Sequence, residues 1–214
     1  MRYNLLWTMS VDISQLFARE IKPSLGCTEP AAIGYATSLA YNAILGRIPN
    51  WLKGKIPITY VTDLYPQDVE IDKIEISLSQ GIFKNSLAVG IPRAEGDKGI
   101  AIAAAMGIFS FPQEEWAELA LFHTLKSEDM DKAKLLTTKV SIHLLGEQEK
   151  SSNIQIRSLV QATHKHDSER TFSGTATIAE THSNVTSLHT QDSLGRIAKI
   201  PRGKKATVTE RNNK

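Results

Sequence analysis

The chain of 214 residues holds a single cysteine, Cys27. One thiol excludes an internal disulfide and suits a reducing compartment, of which the cytoplasm is the default. Long apolar runs are missing as well. The stretch at 1–9 is too short in its apolar run for a secretory signal, and the alanine-rich run at 99–111 falls short of the roughly 18 apolar residues of a membrane span. No membrane association is expected. There is no glycine-rich phosphate loop, no zinc-ligand spacing, no internal repeat and no face that interleaves basic and aromatic residues. The formal charge of +2 is set by the end of the chain: residues 196–214 carry seven Lys or Arg against Glu210 alone. Without them 18 of 25 basic and 22 of 23 acidic residues remain. A mildly acidic body with a basic tail argues against nucleic acid as a partner.

What is present is the composition of a folded domain, with 41% hydrophobic and 22% charged residues. One domain over 1–200 followed by a disordered basic tail at 201–214 is the simplest division. Ile13, Leu16, Phe17 and Ile21 predict an amphipathic helix over 11–21, and a second helix is predicted from Thr28, as hydroxyl cap, to about Leu45 before Gly46. Ala31, Ala32, Gly34, Ala36 and Ala40 suggest that this helix packs closely against another backbone. Strands are predicted at 58–61 and 71–78, a helical turn at 81–88, a loop at 90–97, and a buried small-residue helix at 99–106. Further helices follow at 112–125 and 127–138, the latter started by Ser127 with Glu128 and Asp129. The period then changes to that of strands, at 140–144, 154–160 and 175–179, with a last strand at 196–200. Helices followed by strands give an α+β fold, its helices packed on one face of a mainly antiparallel sheet.

Cys27 sits at the foot of the second helix, where free amides and the helix dipole favour a thiolate. The alternative is a buried small hydrophobe, the commonest state of a lone cysteine. His164 and His166 point to one side of a predicted strand, but no acidic or cysteine cluster accompanies them, and 167–170 reads as a hairpin loop rather than a metal site. Trp51 and Trp116 read as packing aromatics.

The segment Glu20-Ile21-Lys22-Pro23-Ser24-Leu25-Gly26-Cys27-Thr28-Glu29-Pro30-Ala31-Ala32-Ile33 resembles the signature near the start of the L-cysteine desulfidase family, of serine-dehydratase-like class. Phe83-Lys84-Asn85-Ser86-Leu87-Ala88-Val89-Gly90-Ile91-Pro92 and Glu180-Thr181-His182-Ser183-Asn184-Val185 resemble two later segments of that family, in the same order. Glu180 stands where the family has a turn glycine, Ser86 replaces the glycine after Asn85, and Arg93 and Glu95 replace small loop residues. The resemblance implies β-elimination of L-cysteine to sulfide, ammonia and pyruvate, with an iron–sulfur (4Fe-4S) cluster as Lewis acid. It implies Cys27 as a cluster ligand, Lys84 and His182 as catalytic groups, and Thr28, Glu29, Asn85 and Asn184 as substrate contacts.

A cluster takes three or four thiolates and this chain has one. The expectation is therefore the amino-terminal half of such a lyase, inactive until a second chain supplies the carboxy-terminal half, with a small amino acid as substrate. A non-catalytic remnant or small amino-acid-binding module is the alternative. A pyridoxal enzyme is discounted, since no lysine has a recognisable Schiff-base setting.

Overall fold

The computed structural model describes residues 14, 26–60, 64–94, 96–149, 151–193 and 198–199. The helix predicted over 11–21, apart from Ser14, and the tail beyond 201 lie outside the described residues, as does Glu95.

Helix α1 (Thr28–Ile44) is the centre of the molecule, with every residue from Pro30 to Ile44 buried. A helix apolar on all sides must be covered on all sides. Its neighbours are helix α3 (Ile100–Ile108), the 3-10 segment Glu115–Thr124 and the inner face of a sheet. The small residues make this possible. A Cβ on Gly107 would lie 2.9 Å from the Cβ of Thr37, and one on Gly34 3.1 Å from the carbonyl oxygen of Ala103. The chain leaves α1 through Gly46 at φ +68°, whose N–H donates to the Ala43 carbonyl while that of Arg47 donates to Asn42.

The sheet has strands β2 (Val69–Leu78), β3 (Val140–Leu144), β4 (Gln155–His164), β5 (Asp167–Ala179) and β6 (Val185–Asp192), in the order β3-β2-β4-β5-β6. Only β2 and β3 run parallel. A parallel pair needs a crossover. Helices α2 (Gln80–Ser86), α3 and α4 (Ser127–Leu136) provide it. Burial alternates along the strands: Ile74, Ile76, Leu78, Ile156, Val160, Ala176 and Ile178 face the helices. Glu75, Arg157, Gln161, Ser173 and Thr177 take the other face. The fold is α+β, with its helices on one face of a mainly antiparallel sheet. Strands β1 (Thr59–Tyr60) and β7 (Ala198–Lys199) form a separate antiparallel pair.

Three local expectations are corrected. Residues 115–124 form 3-10 turns rather than the helix expected over 112–125, and six consecutive residues from Ala117 to Phe122 are buried there. The loop expected at 167–170 belongs to β5, because the hairpin turn is only Lys165 and His166. Trp116, expected to pack, is 55% exposed. Helix α4 starts at Ser127 with Glu128 and Asp129 in its first turn, as expected, and the Asp129 carboxylate accepts from the N–H of Lys126. Among the described residues no helix is long and apolar enough to cross a membrane.

Candidate functional site

The amino terminus of α1 is built around one carboxylate. Gly26 adopts φ +85°, and a Cβ there would lie 3.0 Å from Pro92, so glycine both makes the turn and admits the 90–94 loop. Past this turn three side chains converge on Glu29. Cys27 Sγ donates at 2.7 Å and Thr28 Oγ1 at 3.2 Å to Oε2, and Asn85 Nδ2 donates at 2.9 Å to Oε1. Partial burial by itself would raise the Glu29 pKa, but the bonds from Cys27 and Asn85, its own amide and the charge of His182 lower it from 4.5 to about 2. Glu29 is an anion at any physiological pH.

Cys27 responds in the opposite sense. Burial pushes its thiol pKa up, and the hydrogen bond to Glu29 and the carboxylate's charge push it further than nearby amides lower it. The thiolate expected at a helix start is overruled because the carboxylate two residues on accepts the thiol proton. Nor does the Thr28 hydroxyl cap the helix: Cys27 is the N-cap residue, without a side-chain cap, and Thr28 turns to Glu29. Iodoacetamide should therefore alkylate Cys27 slowly at neutral pH, and Glu29→Gln should raise the rate by about ten-fold, the effect of one pKa unit. An unchanged rate, followed by mass spectrometry, would show that Glu29 does not control the thiol.

Beside this cluster lies a cavity of about 730 Å³ that takes in Thr28, His182 and Asn184, three of the residues singled out from sequence. His182 Nε2 is buried there without a hydrogen-bond partner among the described residues. Asn184 is tied down: its Nδ2 donates at 3.0 Å to the Ala179 carbonyl and at 3.4 Å to Glu180, closing the turn between β5 and β6. Glu180 holds φ +73° in that turn, a strained position for a residue with a Cβ. Asn85 reaches Glu29 but does not line the cavity, and its amide nitrogen orients the carboxylate. Lys84 is exposed on the last turn of α2, outside the cavity lining and without an ion pair to a described residue. His164 and His166 remain a turn feature, their rings 6.0 Å apart and the N–H of His166 donating to His164 Nδ1.

Sequence reasoning missed Glu118. It is 2% exposed, lines the same cavity, and accepts from Tyr35 Oη and Trp51 Nε1, each at 3.0 Å. The available signal was an acid inside the apolar run Ala117 to Phe122.

The residues do not fit an iron–sulfur cluster. Such a cluster takes three or four thiolates; here the one cysteine is a thiol donor whose pKa is raised, and among the described residues no three His, Cys, Asp or Glu form a metal-ligating group.

No family model matches the chain, and no solved structure does. Among curated proteins it is similar to a UPF0597 protein of Clostridium perfringens strain SM101, 32% identical over 176 residues, covering 82% of this chain and 33% of that protein. A UPF0597 protein of Desulforapulum autotrophicum is 28% identical over 182 residues, 84% of this chain and 34% of that one. These names replace the resemblance to L-cysteine desulfidases and serine dehydratases: the relatives matched over most of the chain carry neither name. The short signature around Cys27 has a local structural role that does not require that family, since Gly26 makes the turn and Cys27 and Thr28 serve Glu29. The chain is thus similar to UPF0597 proteins, and it spans about a third of the length of the curated relatives it matches.

Proposed function

We propose that this chain forms the amino-acid-binding wall of a carbon–sulfur lyase that eliminates sulfide from L-cysteine. The rest of the machinery would come from a second chain, or from a further part of the protein, equivalent to the two thirds of its relatives that the chain does not span. The observation that carries this reading is the Glu29 cluster: a carboxylate held ionised by Cys27 and Asn85, electrostatically coupled to His182, and bonded to Thr28, which with His182 lines a cavity of about 730 Å³.

Glu29 would pair with the substrate's α-ammonium, and an imidazole with an uncommitted buried nitrogen is suited to move a proton. In the elimination the Cα–H bond breaks, the proton passing to His182 in its uncharged form, and the Cβ–S bond breaks with sulfide leaving. The aminoacrylate so formed takes up water to give pyruvate and ammonia. Any iron–sulfur cluster would need its thiolates from outside this chain, with Cys27 contributing one at most. A chain with one thiol is suited to the cytoplasm.

A second reading, a small-amino-acid-binding module without catalysis, is favoured by the protonated Cys27 and by the internal bonds of Asn85 and Asn184. The test is calorimetric titration of L-cysteine and L-serine into the chain and into Glu29→Gln. Sulfide release is assayed for the chain alone and with the unmatched segment of the Clostridium perfringens relative. Binding that weakens about ten-fold or more in Glu29→Gln is expected, the effect of losing one charge-assisted pair, with sulfide released only in the combination. Absence of binding, or equal binding by both forms, would sink the amino-acid site. Binding without sulfide in any combination would establish the module.

A further inference from the structure

A second concavity, of about 610 Å³, lies at the opposite end of α1, on the order of 25 Å from the Glu29 cluster for a helix of 17 residues. Its walls come from the carboxyl ends of α1, α3 and α4, the start of β2, and the turn between β4 and β5. The body of the groove is apolar and partly aromatic, lined by Tyr41, Phe109, Phe111, Val69, Ile71 and Leu136.

Its charge is mainly positive. Arg47, Lys132, Lys139 and Lys165 line it against one carboxylate, Glu70. Lys139 is fixed, donating at 2.6 Å to the Ile71 carbonyl and lying 3.3 Å from Glu70. Arg47 stacks over Phe111, its guanidinium carbon 4.9 Å from the ring centroid. Arg47, Lys132 and Lys165 have no ion pair among the described residues. Three helix carboxyl ends add roughly half a negative charge each. With Glu70 they offset about two and a half of the four cations, which leaves a net positive groove. The Tyr41 ring is buried, and its hydroxyl is protonated at neutral pH like that of any tyrosine, burial pushing its pKa up further, to about 12, despite the nearby Arg47. It is a further donor with no acceptor among the described residues.

We propose that this groove binds a small organic anion with an aromatic body and a terminal carboxylate, the ring lying against Tyr41, Phe109 and Phe111 and the carboxylate taken by Arg47 and Lys165. The volume falls in the range of small-molecule pockets, and an apolar lining with a few convergent polar groups is their usual chemistry. Charge complementarity selects a carboxylate over a neutral ligand, and planar Arg47 suits a bidentate contact. The site is independent of the amino-acid site proposed above.

The test uses the full chain and two isosteric probes, phenylpropionate and phenylpropanol, in calorimetric titrations, with amide chemical shifts to locate the contact. Phenylpropionate should bind about ten-fold more tightly than phenylpropanol, with shifts at residues 108–111 and 41–47. Arg47→Gln combined with Lys165→Gln should remove that advantage while phenylpropanol still binds and the chain stays folded by circular dichroism, both side chains being exposed. Equal binding of the two probes would mean a merely apolar surface and would overturn the proposal. So would shifts confined to another region, or no binding. A dimer in sedimentation whose interface, by amide shifts on dilution, maps to residues 41–47 and 108–111 would assign the groove to a second copy of the chain and overturn it as well.

Discussion

Gly174→Ala is expected to cost about 3 kcal/mol and to lower Tm by roughly 6–12 °C, measured by calorimetry. Gly174 lies on β5 where α1 crosses the sheet. A Cβ there would fall inside contact distance of the Ala40 carbonyl oxygen, 2.9 Å from the Ala40 carbonyl carbon and 3.0 Å from Ile44 Cγ1. Two of these neighbours are backbone and cannot rotate away as a side chain end can. Relief requires α1 to lift from β5, which loosens its packing on α3 and on the 3-10 segment together, because all three surround the same buried helix. The control is Gly90→Ala, where nothing lies within 4 Å of the added methyl and Tm should hold. If both substitutions are silent, the close approach of α1 to the sheet is wrong.

The second large effect is expected at Glu118. Glu118→Leu should lower stability by about 2–4 kcal/mol in urea unfolding, with an unchanged m-value. The substitution leaves the Tyr35 hydroxyl and the Trp51 indole N–H without the oxygen that both now use. Tyr35 is fully buried and its pKa is raised well above the ordinary value by burial and by the Glu118 charge, so its hydroxyl has neither water nor ionisation as an escape. Glu118→Gln keeps an acceptor oxygen and should recover most of the loss. Should Gln and Leu prove equally destabilising, the charge, and not hydrogen-bond satisfaction, would be what the fold requires there.

The Glu29 cluster shows how far local pattern reaches. The helix start at Thr28, the turn at Gly26 and the proximity of Cys27 to a helix end were legible because capping and turn chemistry are local. The protonation of Cys27 was not legible. A helix start favours a thiolate, but a carboxylate within hydrogen-bond reach disfavours it, and only side-chain direction tells which neighbour the thiol meets. Asn85, 56 residues from Glu29, joins it through the packing of α2 beside α1, which no spacing announces. Lys84, its neighbour in sequence, points elsewhere because adjacent helical positions do not share a face.

The cavity carries the same lesson. His182 and Asn184 were visible as polar residues at a turn, yet Asn184 closes the turn itself while His182 keeps a buried nitrogen without a described partner. Glu118 was passed over although it stands inside the apolar run Ala117 to Phe122, because only the packing shows that its carboxylate meets Tyr35 and Trp51.

By itself the sequence determined the class of the fold, the burial of α1, the alternation of the strands and the limit set by one thiol, all of which follow from local period and composition. The tertiary structure decided what those elements do to one another. It paired β2 in parallel with β3 through a crossover, closed Glu118 onto Tyr35 and Trp51, and gathered four cations around an apolar groove from elements far apart in the chain. The physical reason is range: capping and periodicity act over a few residues, whereas desolvation and charge at a site sum over whatever the packing brings within a few ångströms.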